Sequence, residues 1–122
     1  MKYDSTKVEV VPIEGKGLGV IAKQDFKKGD IIEIAPTVEL PDEDSAFIGC
    51  TSLGSYWFGL GERGSCIGLG YSSLYNYSKK PNAWYVTGSR TVIFKAGKSI
   101  KKGEEITVNY GWDKVSLRKL KN

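Results

Sequence analysis

Three short segments hold the residue types from which a binding or catalytic site can be built: Gly15-Lys16-Gly17-Leu18-Gly19, Asn76-Tyr77-Ser78-Lys79-Lys80-Pro81-Asn82, and Gly103-Glu104-Glu105-Ile106-Thr107-Val108-Asn109-Tyr110-Gly111. Histidine is absent. This removes Ser-His-Asp, Cys-His and His-ligated metal chemistry and leaves Tyr, Asp/Glu, Lys or Cys to carry any catalysis. The glycine triplet invites comparison with a dinucleotide-binding loop, but that fingerprint needs a strand before it and a helix after it. Here Val20-Ile21-Ala22 and a Lys-Lys-Gly turn follow, with no room for the helix. Asn76-Tyr77-Ser78 matches a glycosylation sequon; without the apolar core of a signal peptide in the first ten residues, the match is read as accidental. Cys50 and Cys66 have neither CxxC nor CxC spacing, so no metal site or disulfide framework is expected, and both are read as small buried hydrophobes.

In order and spacing, the three segments resemble the SET domain of protein lysine methyltransferases, over about Val8 to Trp112. The resemblance implies a mainly β fold, the β-clip of short sheets with a pseudoknot-like arrangement near the C-terminus. It implies one domain over residues 1–122, with the family-like region at about 8–112 and a basic tail at 114–122. It also implies S-adenosyl-L-methionine as cofactor and S-adenosyl-L-homocysteine as product. In that family the glycine loop, here Lys16, Gly17, Leu18 and Gly19, lets the backbone lie against the methionine part of the cofactor, where a Cβ would collide. The family pattern Asn-His-Ser followed by Pro-Asn maps Asn76 to an amide that binds cofactor. Tyr77, standing where the family has His, maps to a position that contributes backbone hydrogen bonds to the adenine edge. Tyr110 corresponds to the catalytic tyrosine and also borders the cofactor. Tyr71, Tyr85 and Trp112 are candidate walls of a lysine channel, with Tyr71 and Trp112 also reaching the cofactor. The chain resembles the minimal viral and bacterial members, without the zinc-binding segment that many relatives carry after the catalytic tyrosine.

The implied reaction is in-line methyl transfer from a sulfonium to a lysine amine, which demands alignment and water exclusion more than acid–base chemistry. An apolar aromatic channel beside a positive sulfonium lowers the lysine pKa from its usual ~10.4 and favours the neutral nucleophile. The implied partner is a lysine-containing protein, a histone or histone-like one in chromatin, and Glu39, Asp42, Glu43 and Asp44 offer charge to a basic tail. Either a monomer or a homodimer fits. The alternative is a weak or inactive SET or β-clip module that binds a peptide or small ligand; a plain β-clip binding module needs neither Asn76 nor Tyr110, and the degenerate SET reading rests on Tyr77.

The elements that must position these residues are short and β-branched or aromatic. Strands are expected at Val8 to Ile13, Val20 to Ala22, Ile31 to Ile34, Tyr56 to Phe58, Ala83 to Thr87, Thr91 to Phe94 and Ile106 to Asn109. The 15 glycines concentrate between Gly49 and Gly70 and predict a loop-rich middle. Only Tyr71 to Tyr75 and Val115 to Leu120 suit a helical turn or two. A near-repeat is present: Phe26-Lys27-Lys28-Gly29-Asp30-Ile31-Ile32 and Ile100-Lys101-Lys102-Gly103-Glu104-Glu105-Ile106 both read apolar-Lys-Lys-Gly-acid-x-Ile. Two such glycine turns predict pseudo-symmetric β units. With 122 residues, 40% hydrophobic and 26% charged, the chain suits one soluble domain, and no apolar run approaches the roughly 18 residues of a membrane span. The net charge of +4 is scattered over turns, so no nucleic-acid surface is expected. The resemblance implies an intracellular setting, a bacterial cytoplasm or, for a viral protein, the nucleus of an infected host.

Overall fold

The structure, a computed structural model, describes residues 2–41, 57–59 and 65–110. All regular structure among them is strand: β1 (Val8–Ile13), β2 (Gly17–Ala22), β3 (Ile31–Leu40), β4 (Trp57–Gly59), β5 (Ser65–Gly68), β6 (Asn76–Tyr77), β7 (Ala83–Gly88), β8 (Thr91–Ala96) and β9 (Thr107–Val108). They form a β1-β2 hairpin, a five-stranded sheet in the order β4-β5-β3-β8-β7, and a parallel β6-β9 pair. The mainly β expectation holds. The strands of the large sheet alternate as half-buried strands should: in β8, Val92, Phe94 and Ala96 are fully buried while their neighbours are not. In β3 the alternation breaks. A register shift lies between Ile31 and Glu33, and Ile32 and Glu33 are both buried. This bulge turns Glu33, followed by Ala35 and Thr37, toward the interior.

Several expectations need correction. The residues Gly17 to Gly19 are strand, paired with β1 as Ile13↔Gly17, Pro12↔Leu18 and Val11↔Gly19, so only Glu14 to Lys16 form the connection. β3 runs on to Leu40, and β5 and β6 were hidden by glycine and by brevity. Tyr71 to Tyr75 make turns and no helix: Ser72 N donates to Leu69 O at 3.2 Å and Leu74 N to Tyr71 O at 3.0 Å. Val115 to Leu120, the basic tail, Trp112, Cys50 and the acidic Asp42, Glu43 and Asp44 lie outside the described residues. Cys66 is buried in the core.

The predicted pseudo-symmetry is present in atomic detail. Phe26 N donates to Ile100 O at 2.8 Å and Ile100 N to Phe26 O at 2.9 Å, so the two repeats meet at equivalent residues. Around them each bond has a counterpart. Gly29 N donates to Ala96 O and Gly103 N to Ala22 O, both at 2.8 Å; Ala96 N donates to Asp30 O and Ala22 N to Glu104 O, at 2.9 and 3.0 Å. The acid closes each turn, Asp30 accepting from Lys27 N at 2.8 Å and Glu104 from Lys101 N at 3.0 Å. Gly29 and Gly103 hold φ of 92° and 90°, where only glycine sits without strain. Each turn thus docks on the strand of the other repeat.

The second turn delivers the C-terminal segment into a slot between two parts of the fold. On one side Ile106 N donates to Val20 O at 2.8 Å; on the other, β9 pairs with β6 and Ser78 N donates to Val108 O at 3.0 Å. Asn82 fastens the segment as a backbone mimic, its Nδ2 donating to Glu105 O at 2.8 Å and its Oδ1 accepting from Thr107 N at 2.9 Å. This threading brings the three chemistry-bearing segments together.

Candidate functional site

The first half of the site forms where β2, β6 and the C-terminal segment meet. A Cβ on Gly19 would lie 2.5 Å from Ile13 Cγ1, 2.8 Å from Asn76 Nδ2 and 2.9 Å from Glu105 Oε2. Glycine is therefore required by the close approach of the Ile13, Asn76 and Glu105 side chains. The Asn76 amide nitrogen donates to Leu18 O at 3.0 Å and to Glu105 Oε2 at 2.7 Å. Both of its protons are thereby committed, which fixes the orientation of the amide. The other oxygen of Glu105 takes the Lys16 ammonium at 2.8 Å. Lys16 is exposed, so this ion pair contributes only about 0–1 kcal/mol and serves to orient the carboxylate. Glu105 ties all three segments and was not among the residues singled out from the sequence. The signal was there: in the near-repeat its position holds Ile31, so a carboxylate replaces an apolar residue.

The second half is aromatic. The Tyr110 hydroxyl donates to the backbone carbonyl of Tyr75 at 2.6 Å. The Tyr110 ring lies 5.7 Å from Tyr85 and 5.9 Å from Phe58, and Phe58 meets Tyr85 edge-on at 5.1 Å. Phe58 and Tyr75 were not anticipated. Phe58 was expected only as part of a short strand at Tyr56 to Phe58, with no site role, and Tyr75 contributes a carbonyl that no side-chain pattern advertises. Tyr71 is half-buried against the core, with its amide held by Glu33 at 3.0 Å. Tyr77 is half-buried and its backbone pairs with Val108. The two halves are joined by a single peptide: Tyr75 offers its carbonyl to Tyr110, and Asn76, the next residue, reaches the glycine strand. Among the described residues no group of three or more His, Cys, Asp and Glu could hold a metal ion.

The phenols are held neutral. Burial, then Tyr85, pushes the Tyr110 hydroxyl well above its usual range; burial, then Cys66, raises Tyr85; burial, then Glu33, raises Tyr75 well above its usual range. Tyr110 is accordingly a hydrogen-bond donor rather than an ionised base near neutral pH. These shifts also set an alkaline limit. A tyrosine whose folded pKa lies above its unfolded value of about 10 stabilises the fold fully below that pH and loses the contribution as pH rises toward the folded pKa. Above pH ~10 Tyr75 and Tyr110, the more buried of the three, are each expected to lower stability by about 1.4 kcal/mol per pH unit. Denaturant melts across this range, followed by phenolate absorbance, check it: Tyr75→Phe should flatten the slope, and an unchanged slope would contradict the assignment.

A profile of the SET domain matches residues 17–111. The "Histone-lysine N-methyltransferase, H3 lysine-37 specific" of Schizosaccharomyces pombe is 28% identical over 107 residues, covering 85% of this chain and 73% of that protein. A crystal structure of a Plasmodium falciparum protein described as a candidate histone methyltransferase superimposes with a TM-score of 0.73 at 33% identity, covering 86% of this chain and 93% of the other. Among the described residues no helix is long and apolar enough to cross a membrane. A profile match over most of the chain, with a threaded β fold that joins glycine strand, asparagine and tyrosine, makes the protein a member of the SET domain family of protein-lysine methyltransferases.

Proposed function

We propose that this chain, acting as a single SET domain, transfers the methyl group of S-adenosyl-L-methionine to a lysine of a histone or histone-like protein inside a cell. The observation that supports it best is the junction at Tyr75 and Asn76, which couples the Asn76 amide to the Tyr110 hydroxyl across one peptide. The residues suit the cofactor. The edge Gly17-Leu18-Gly19 offers backbone without side-chain bulk at Gly19, and the Asn76 Oδ1 is an acceptor for the α-ammonium of a methionyl group. Tyr77 is assigned to the adenine edge through its backbone, and Tyr71 and Trp112 to the cofactor's flank. Bound there, S-adenosyl-L-methionine supplies an electrophilic methyl on a sulfonium.

This chain's residues then do four things. Glu105 and Leu18 fix the Asn76 amide, so that binding does not have to order it. Tyr85, Phe58 and Tyr110, with Tyr71 and Trp112, wall the path of the lysine side chain and exclude water. Desolvation by those rings favours the neutral amine. The Tyr110 hydroxyl, its proton given to the Tyr75 carbonyl, keeps oxygen lone pairs that accept from the amine and from the methyl C–H groups and so orient the reacting groups.

Calorimetry with S-adenosyl-L-methionine and transfer of a radiolabelled methyl group to histone H3 test the proposal. Ten times the Kd of cofactor should add about 1.4 kcal/mol of stability by mass action. No melting shift at millimolar cofactor would remove the enzyme reading. Asn76→Ala should weaken cofactor binding more than Tyr77→His, because the amide loses specific partners whereas Tyr77 acts through its backbone. Equal losses would show that the Tyr77 side chain, and not its backbone, holds the cofactor.

A further inference from the structure

A carboxylate with no contact to the candidate cofactor edge lies beneath the site. Glu33 is fully buried, placed inward by the β3 bulge, and is surrounded by donors. Its Oε1 accepts from the Tyr75 hydroxyl at 2.7 Å, and its Oε2 accepts from the Tyr71 amide at 3.0 Å and from the Ser5 hydroxyl. Placing a carboxylate in a core is costly, and an apolar residue of similar size often does as well for stability. What the carboxylate achieves here is geometric: it grips both ends of the 71–75 turn segment.

The approach at the N-terminal end is close. Gly70 has φ of 61°, and a Cβ on it would lie 2.8 Å from Glu33 Oε2 and 3.0 Å from Ser5 Oγ. At the other end the Tyr75 ring is stacked on Phe94, with centroids 4.1 Å apart and planes within 20°. Stacking alone leaves the ring free to slide in its plane. The hydrogen bond from its hydroxyl to Glu33 stops that motion. Because ring and carbonyl belong to one residue, fixing the ring fixes the carbonyl, and that carbonyl accepts the Tyr110 hydroxyl at 2.6 Å.

We infer that Glu33 is a positioning residue for Tyr110: through the Tyr75 hydroxyl it sets the place of the Tyr75 carbonyl, and through that carbonyl the direction of the Tyr110 O–H. The inference rests on the reading of Tyr110 as the catalytic tyrosine. A core carboxylate kept only for stability would affect folding and leave the hydroxyl's direction alone; a positioning residue must show itself at Tyr110.

Tyr75→Phe is the variant of choice, since it deletes one oxygen and keeps both the ring on Phe94 and the backbone carbonyl. Glu33→Gln, which sets an amide NH2 against resident donors, is the harsher companion. Two measurements are made: methyl transfer from S-adenosyl-L-methionine to histone H3, and solvent exchange of the Tyr110 hydroxyl proton by NMR on the isotope-labelled free protein. Tyr75→Phe should lower kcat by ~10-fold, equivalent to about 1.4 kcal/mol, with cofactor affinity unchanged. The Tyr110 hydroxyl should exchange ~10-fold faster as its bond loosens. Added to Tyr110→Phe, Tyr75→Phe should cost nothing more, because the two act through one group. Unchanged kcat or hydroxyl exchange in Tyr75→Phe, or an undiminished further loss in the Tyr110→Phe background, would overturn the inference. Full turnover by Tyr110→Phe alone removes the catalytic assignment, and the inference with it. A slow Tyr110→Phe beside an undisturbed Tyr75→Phe removes only the role of Glu33.

Discussion

Tyr110→Phe is expected to reduce methyl transfer at least ~100-fold, a loss of about 2.7 kcal/mol of transition-state stabilisation, while cofactor affinity stays close to that of the parent protein. The ring packs against Phe58 and Tyr85, and phenylalanine keeps those contacts. What disappears is the hydroxyl and its bond to the Tyr75 carbonyl. That bond should contribute only about 0.5–1.5 kcal/mol to folding, so the variant remains folded. The same hydroxyl matters more while the methyl is between donor and acceptor, when a misaligned amine forfeits the in-line geometry. Single-turnover transfer of a radiolabelled methyl group, beside calorimetry with the cofactor, separates the two effects. Wild-type turnover would make Tyr110 structural and move the assignment to Tyr85 or Tyr71.

Gly19→Ala should have the opposite signature, with the damage in binding. The new methyl would press on Ile13 Cγ1, Asn76 Nδ2 and Glu105 Oε2, all within 3 Å. The backbone at Gly19 is ordinary strand, so the penalty is collision and not conformational strain. Overpacking of this kind costs about 1–3 kcal/mol. Relief is easiest by pushing Asn76 and Glu105 away, which disconnects the amide from Leu18 O and turns its oxygen from the ligand. A ~100-fold fall in affinity for S-adenosyl-L-methionine is expected, with a lowered melting temperature. Ala at Gly103 is the contrast, because nothing lies within 4 Å of its Cβ and only its positive φ is strained. An alanine at Gly19 that binds cofactor normally would show that Asn76 is not the anchor.

The sequence made most of the architecture legible because its short strands carry their own alternation. β1, β7 and β8 fall where Val8 to Ile13, Ala83 to Thr87 and Thr91 to Phe94 predict them. It failed where pairing is decided from outside the segment. β6 is two residues long and exists because β9 is laid against it; β5 exists because β3 extends to Leu40 and offers an edge. Within the site, Asn76, Gly19 and Tyr110 were legible from motif spacing. Glu105, Tyr75 and Glu33 were not, for a common reason. They act by holding another group in place, and such roles depend on which distant backbone comes near: a bulge in β3 for Glu33, the 71–75 turn segment for Tyr75, the threaded C-terminal segment for Glu105.

The paired turns at Gly29 and Gly103 bear on how the chain reaches this structure. Neither turn completes its hydrogen bonds within its own repeat; each needs the strand of the other, with Phe26 and Ile100 joined across 74 positions of sequence. Half of the protein, synthesised first, would leave Ala22, Phe26 and Gly29 with their backbone groups unanswered. Closing so long a loop costs entropy before any contact repays it. The folding nucleus is therefore non-local, and β9, the last strand among the described residues, must arrive before the candidate site it shares with β2 and β6 can exist. Assembly of the fold and assembly of the candidate site are one cooperative event.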